Sequence, residues 1–331
     1  MKNIILVDYD PPRDWEFQRA IEKSTSEKWE TIRYVSNKYH GGKIQQLIRY
    51  LMYFWLPFKI FVKRKEYKKV LAWQQFYGLI LAFYCRFFKI KKAPKIIVMT
   101  FIYKPKKGKV GKIYEKFMRY VITSGFIDKL IVFSDSEKQF YANHFKVSEK
   151  LFISEKLGIE DEYSRFLKYI EKGNTYISAG RSNRDYQFIQ KNWPEDEKKI
   201  EIICDTGDFQ NTSNIEYITD CHDDKYLKKL AQACAVIVPL KDTKISSGQL
   251  VILQGMMFGK PVIVTKNETV CDYVIDKEDG FIIEKTGDEL LKALDIICDT
   301  KEYMRISNNA RKKFLDKFSL YSMGIRIGRY V

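Results

Sequence analysis

The chain has 331 residues, of which 45% are hydrophobic and 15% aromatic. That is enough apolar material for two cores of about 150 residues each, and it excludes intrinsic disorder. Its 58 Lys and Arg outnumber 42 Asp and Glu, and the net charge of +16 points to an anionic partner. Six cysteines, Cys85, Cys204, Cys221, Cys234, Cys271 and Cys298, follow no metal-ligand spacing and sit mostly in apolar runs, which excludes a disulfide scaffold or a zinc module.

In chain order, the apolar run 4–7 is too short for a signal peptide and reads as a first buried strand. Further strands are predicted in the first half at 31–35, 69–72, 96–100, 130–133 and 151–154. The stretches 51–58 and 70–85 are the most membrane-like, yet neither reaches the roughly 20 apolar residues of a spanning helix. The expectation is a cytoplasmic protein with peripheral membrane contact. Residues 42–85 interleave Leu47, Leu51, Met52, Trp55 and Phe58 with Arg49, Lys59, Lys63, Arg64 and Lys65. Such a segment can lie in a bilayer interface, and its stripe over 47–62 can equally be core.

Charge divides unevenly along the chain. Through Arg165 there are 33 basic and 17 acidic residues, against 25 and 25 beyond it. The densest section, Arg86 to Arg119, holds 12 Lys/Arg and a single acid, Glu115. It is a solvated face, a surface for anionic lipid and a phosphate-bearing acceptor, or a nucleic-acid surface, and no nucleic-acid motif accompanies it.

In the second half short β-branched runs alternate with helical patterns. Strands are predicted at 175–179, 200–204, 215–218, 235–239, 262–265 and 281–283, and helices at 185–191, 224–233, 247–258 and 288–298. The pattern is that of two doubly wound α/β domains, 1–165 and 166–310, with a final helical segment 311–331 expected to pack back towards the first. Ligands of such sheets bind beyond the carboxyl ends of the strands, so a cleft between two facing domains is expected.

The most informative segment is VIVPLKDTKISSGQLVILQGMMFGKPVIVT, residues 236–265. A strand ends at Pro239, a polar loop follows, and a helix opens on Ser246-Ser247-Gly248 and stops at Gly259. Free N–H groups and the positive pole of the dipole make such a start a phosphate site. Ordinary capping by Ser246 or Ser247 is the alternative.

Four stretches carry a family resemblance: Gly259-Lys260-Pro261-Val262-Ile263-Val264-Thr265, Asp272-Tyr273-Val274, Asp279-Gly280-Phe281 and Gly287-Asp288-Glu289-Leu290. With the strand 176–179 and its Gly180-Arg181, they resemble the C-terminal domain of GT-B fold glycosyltransferases, the family 4-like group in particular. The match runs from about 175 to 318; in the first half it is looser and rests on strand order, Val132-Phe133-Ser134 and Gly158.

The resemblance implies two Rossmann-like domains facing a central cleft, and transfer of a sugar from a nucleotide-diphosphate donor to a glycan or lipid-linked acceptor in surface polysaccharide assembly. It assigns the donor diphosphate to Arg181, Arg184, Ser246, Ser247, Gly248 and Gln249, and the nucleoside to Cys221, His222 and Gln254. Arg184 can also be a surface charge near Asp185, and His222 an exposed loop histidine. Retaining members carry two glutamates eight positions apart where this chain has Ser246 and Gln254. Gln254 can still accept ribose hydroxyls through its amide oxygen, whereas Ser246 is too short to reach the sugar.

Asp10, Arg13 and Asp14, after the first strand, and Lys104, in the basic loop 101–112, are the acceptor-side candidates, although that loop also reads as bland and mobile. Asp8-Tyr9-Asp10 stands where a donor-binding metal is not expected and reads as a loop or helix start. The expected partners are a nucleotide sugar, a UDP-sugar favoured, its acceptor, and the anionic inner face of the cell membrane; no cofactor, metal or nucleic acid is expected. A retaining reaction is favoured over an inverting one, and no catalytic residue is singled out. Competing readings are a non-catalytic subunit of the same fold, which partners another transferase, and a sugar-nucleotide epimerase.

Overall fold

The computed structural model describes residues 1–33, 43–170, 173–195, 198–204, 210–242, 247–267 and 270–331. Ser246, His40 and the end of the expected second strand lie outside them. The chain forms two compact units, Met1–Leu157 with Tyr321–Val331, and Gly158–Leu320.

The first unit contains β1 (Lys2–Val7), α1 (Glu16–Thr25), β2 (Trp29–Arg33), α2 (Lys43–Val62), β3 (Tyr67–Ala72), α3 (Gln75–Phe87), β4 (Lys95–Val98), α4 (Gly108–Ile122), β5 (Lys129–Val132), α5 (Asp135–Phe145) and β6 (Phe152–Ser154). Its six strands are parallel in the order β2-β1-β3-β4-β5-β6. Ile4 to Val7 are wholly buried, as a continuous apolar run must be in a strand covered on both faces. Ile4 and Leu6 share one core with Leu56, Ile60 and Phe61 of α2 and with residues of α3, α4 and α5.

The second unit contains α6 (Tyr163–Phe166), β7 (Thr175–Ala179), α7 (Tyr186–Asn192), β8 (Lys199–Ile203), β9 (Ile215–Ile218), α8 (Asp223–Gln232), β10 (Val236–Val238), α9 (Gln249–Met257), β11 (Val262–Thr265), β12 (Phe281–Ile283), α10 (Gly287–Cys298) and α11 (Thr300–Lys313). Its sheet is parallel in the order β12-β11-β10-β7-β8-β9. Strand order reverses between β7 and β10, and the carboxyl ends there are the natural ligand position.

The boundaries differ from those read in the sequence. The join lies at Leu157/Gly158 rather than after Arg165, because the following residues pack on the second unit: Arg311 holds Asp161 bidentately at 2.8 and 2.7 Å, and Phe166 meets Phe258 edge-on. The chain returns to the first unit at Tyr321 and not at Arg311, because α11 runs on through Phe314 and Phe318, both buried, with Phe318 stacked on Tyr273 at 5.4 Å. Helix α12 (Leu320–Gly328) then lies on α1. Ser24 donates to the Ile325 carbonyl at 2.9 Å, and a Cβ on Gly324 would stand 2.7 Å from that of Ala20. Arg326 pairs with the buried Glu155 at 2.7 Å.

Helix α2 buries one part of its stripe and exposes another. Leu56, Ile60 and Phe61 are core, while Leu47, Leu51, Phe54, Trp55 and Val62 are exposed. Among the described residues no helix is long and apolar enough to cross a membrane.

Candidate functional site

A cavity of about 420 Å³ opens in the second unit at the carboxyl ends of β7 and β8. Ala179, Gly180, Arg181, Ile203 and Cys204 form one side; Cys221, His222, Asp223 and Tyr226 form another; Leu250, Val251 and Gln254 of α9 close it. Its construction starts at Gly180, whose φ of +126° turns the chain out of β7 in a conformation that disfavours side chains. A Cβ there would lie 2.7 to 2.8 Å from the guanidinium of Arg184.

Arg184 is only 9% exposed. Its Nε donates to the Ala179 carbonyl and one Nη to the Ser182 carbonyl, each at 2.9 Å. Desolvation lowers its pKa, yet an arginine stays charged inside a protein. No carboxylate among the described residues pairs with it. The same Nη lies 3.9 Å from where a Gly248 Cβ would be. Arg184 therefore stands behind the loop and does not line the cavity, so direct phosphate contact is not what its burial allows; Arg181 occupies the wall instead.

Gly248 is the N-cap of α9, with φ +89°. The first-turn N–H groups of a helix have no intrahelical acceptor and carry its positive pole. Buried Arg184 and the start of α9 thus put two sources of positive potential beside one another. Asn183, itself at φ +55°, fixes this edge: its Nδ2 donates to Ser247 Oγ at 2.8 Å, and its Oδ1 accepts from the Asp242 N–H at 2.8 Å. Asp220 and Asp223 are also left-handed, at φ +54° and +50°, so unfavourable backbone geometry gathers around the cavity.

On the far wall the Tyr226 hydroxyl donates to Gln254 Oε1 at 3.1 Å. Burial pushes the Tyr226 phenol up, so it remains a donor. The oxygen expected to accept from a ribose is therefore already engaged, which leaves its second lone pair and the NH₂ group for a ligand. The Tyr186 hydroxyl donates to the Gly180 carbonyl at 2.6 Å, and burial raises its pKa as well.

Of the predicted donor-side residues, Arg181, Cys221, His222 and Gln254 line one cavity. Ser247, Gly248 and Gln249 lie at the start of α9, and Ser246 is outside the described residues. His222 is exposed and is the N-cap of α8. The acceptor-side candidates belong to the first unit. Asp10 is paired with Arg33, and Asp14 with Arg19 at 3.1 Å. Arg13 and Lys104 are exposed and have no partner among the described residues. The loop that bears Lys104 is pinned, since Phe101 and Tyr103 are buried and Tyr103 N–H donates to the Tyr141 hydroxyl at 3.1 Å. Among the described residues no three His, Cys, Asp or Glu side chains are grouped as metal ligands.

Asn183, Tyr186 and Tyr226 were missed in the sequence. Asn183 had a signal, since asparagine tolerates the left-handed region beside a glycine turn; the tyrosines had none.

Two six-stranded parallel sheets with flanking helices, and full-length likeness to solved structures, decide the fold. The chain has the GT-B fold. Anabaena HepE, solved with UDP, superposes with a TM-score of 0.61 at 13% identity, over 99% of each chain. A glycosyltransferase from Rickettsia africae gives 0.62 at 13%, over 99% of this chain and 98% of that one. Sucrose-phosphate synthase from Thermosynechococcus elongatus also gives 0.62 at 13%, with the same coverage. Residues 195–313 of this GT-B chain match the family described as glycosyl transferases group 1. None of the curated proteins matches the sequence.

Proposed function

We propose that the chain is a glycosyltransferase whose second unit holds the diphosphate of a nucleotide sugar, a UDP-sugar favoured, and which transfers the sugar to a glycan or lipid-linked acceptor in surface polysaccharide assembly. The observation that carries this reading is the buried charge of Arg184 beside the start of α9, without a carboxylate partner among the described residues. A buried cation is costly until an anion compensates it. Breaking the anomeric C–O bond leaves new negative charge on the departing diphosphate, and fixed positive potential stabilises that charge. Arg181, on the cavity wall, is the direct contact. Fixed cationic and dipolar groups can do this without a metal ion, and the retaining course is favoured. The excess of positive charge in the first unit supports work at the anionic inner face of the cell membrane.

Thermal denaturation with UDP, GDP, CDP and their sugars tests the donor. A ligand at a hundred times its Kd adds about 2.7 kcal/mol, which is about 5–10 °C for a unit of this size. Arg181→Ala should weaken the preferred diphosphate about 10- to 100-fold, as expected for a charged hydrogen bond. If no nucleotide moves the transition, or Arg181→Ala binds like wild type, the assignment is wrong. Gln254, where retaining relatives carry a glutamate, favours one alternative, a non-catalytic subunit of the same fold. Release of free sugar from the donor by the purified protein excludes it.

A further inference from the structure

Helix α2 presents Leu47, Leu51, Phe54, Trp55 and Val62 to solvent, each between 50 and 60% exposed. Their spacing makes one stripe along a helix of 20 residues, about 30 Å long, and monomeric proteins seldom show such a patch without using it. At the carboxyl end of α2 the stripe continues through ring contacts: Trp55 with Phe58, Phe58 with Phe61, and Phe61 with Phe88 at 5.2 Å.

Phe88 adjoins a cavity of about 640 Å³ at the amino ends of β1, β3 and β4. This is the opposite end of that sheet from the carboxyl ends where the acceptor candidates lie. Tyr67, Ile90 and Ala93 give it apolar walls, and every charged residue that lines it is Lys or Arg. The side-chain ammonium groups of Lys65, Lys89, Lys91 and Lys92 form no hydrogen bond or ion pair with any described residue. Lys89 is held at φ +49°, a helix-end position where glycine is the unstrained choice, so the strained site nonetheless bears a cation. Neither α2 nor α3 contains an acidic residue.

We propose that this cavity binds the phosphate of an anionic phospholipid headgroup while the α2 stripe enters the acyl boundary beside it. The proposal deepens the membrane side of the proposed function and is independent of the donor cavity. Charge complementarity selects the occupant. A second copy would set two strongly cationic faces together, and a nucleic-acid backbone would lay phosphates on an aliphatic stripe. A lipid surface offers anions and hydrocarbon at the two depths the surface requires.

The test is sedimentation with vesicles of phosphatidylcholine alone and of an equal mixture with phosphatidylglycerol, with tryptophan emission followed in parallel. Trp55 is 52% exposed, whereas Trp15, Trp29 and Trp193 are buried and Trp73 is half-buried in the first unit, so a blue shift that Trp55→Phe removes reports entry of α2. The wild type should favour the anionic vesicles and shift. The triple variant Lys89→Gly, Lys91→Gln, Lys92→Gln should lose about five-fold per lysine, roughly a hundred-fold in all. Phe54→Ser should weaken binding and reduce the shift. Both variants should keep the wild-type response to UDP, which certifies the fold and separates this proposal from the donor assignment. Equal binding to neutral and anionic vesicles, or a triple variant that binds like wild type, overturns the proposal. So does saturable binding of soluble glycerol phosphate, or of a single-stranded oligonucleotide, without vesicle binding.

Discussion

Arg184 and Arg181 lie three positions apart and have the same chemistry, and the fold gives them different work. Arg184 spends its hydrogen bonds on the carbonyls of Ala179 and Ser182, so its effect on a ligand is through space. A unit charge about 8 Å away is worth about 2 kcal/mol at an effective dielectric near 20. Arg184→Met keeps most of the buried volume and removes the charge. It should lower affinity for a nucleoside diphosphate about ten-fold or more while affinity for the bare nucleoside stays within about two-fold, and the melting temperature of the ligand-free protein should change little, since loss of two hydrogen bonds offsets relief of a buried cation. Calorimetry with UDP and uridine distinguishes the cases: equal losses for both would mean that Arg184 only supports the loop. The family resemblance brought both arginines to notice, but which one is buried depends on the turn at Gly180 and on the bridge to Leu240, a contact 56 residues distant along the chain and therefore not legible locally.

The two glycines that shape the site act through the elements they terminate and begin. Gly180 ends β7 and Gly248 starts α9, both at positive φ, and a Cβ on Gly248 would come within 3.0 Å of Val238 Cγ1 in β10. Gly248→Ala should cost about 1–3 kcal/mol from backbone strain, lower the melting temperature by several degrees, and weaken diphosphate binding by displacing the first turn of α9. Denaturant titration and nucleotide binding on the same variant check this, and an alanine tolerated without loss of either would show that the left-handed start is incidental. Strands were the most legible elements, because parallel strands buried on both faces read as unbroken apolar runs; all twelve predicted runs became strands. Their ends were less so. The fourth strand stops at Val98, and Thr100, expected within it, instead donates its hydroxyl to the Trp73 carbonyl at 2.6 Å. The helix predicted over 247–258, with Ser246 or Ser247 as the alternative cap, begins instead at Gln249 with Gly248 as its N-cap. For α2 the sequence could not choose between core and surface, since one 3.6-residue period serves a helix that buries one face and exposes another.

At the scale of the molecule, the boundary between units sharpens the charge asymmetry. The first unit, with the returning segment Tyr321–Val331, holds 34 Lys/Arg and 14 Asp/Glu, and the second holds 24 and 28. The sequence alone, cut after Arg165, showed an imbalance in the first half but a neutral second half. The transfer of Glu160, Asp161, Glu162 and Arg165 to the second unit and the return of Arg326 and Arg329 to the first account for the difference. A compact body of one sign repels itself, and salt relieves that repulsion. Raising sodium chloride from about 0.01 M to about 0.1 M shortens the screening length from about 30 to about 10 Å. Amide exchange in β1, β3 and β4 should then slow several-fold, while exchange in β10, β11 and α9 changes little. Chloride is the proper salt, because sulfate or phosphate would also act as a ligand for the clustered lysines. Peptide-resolved hydrogen exchange reads the two units separately in one experiment. An equal response in both sheets would mean that local ion pairs such as Lys69–Glu27 at 2.8 Å already neutralise the excess, and the field attributed to the first unit would not be available to draw it to an anionic surface.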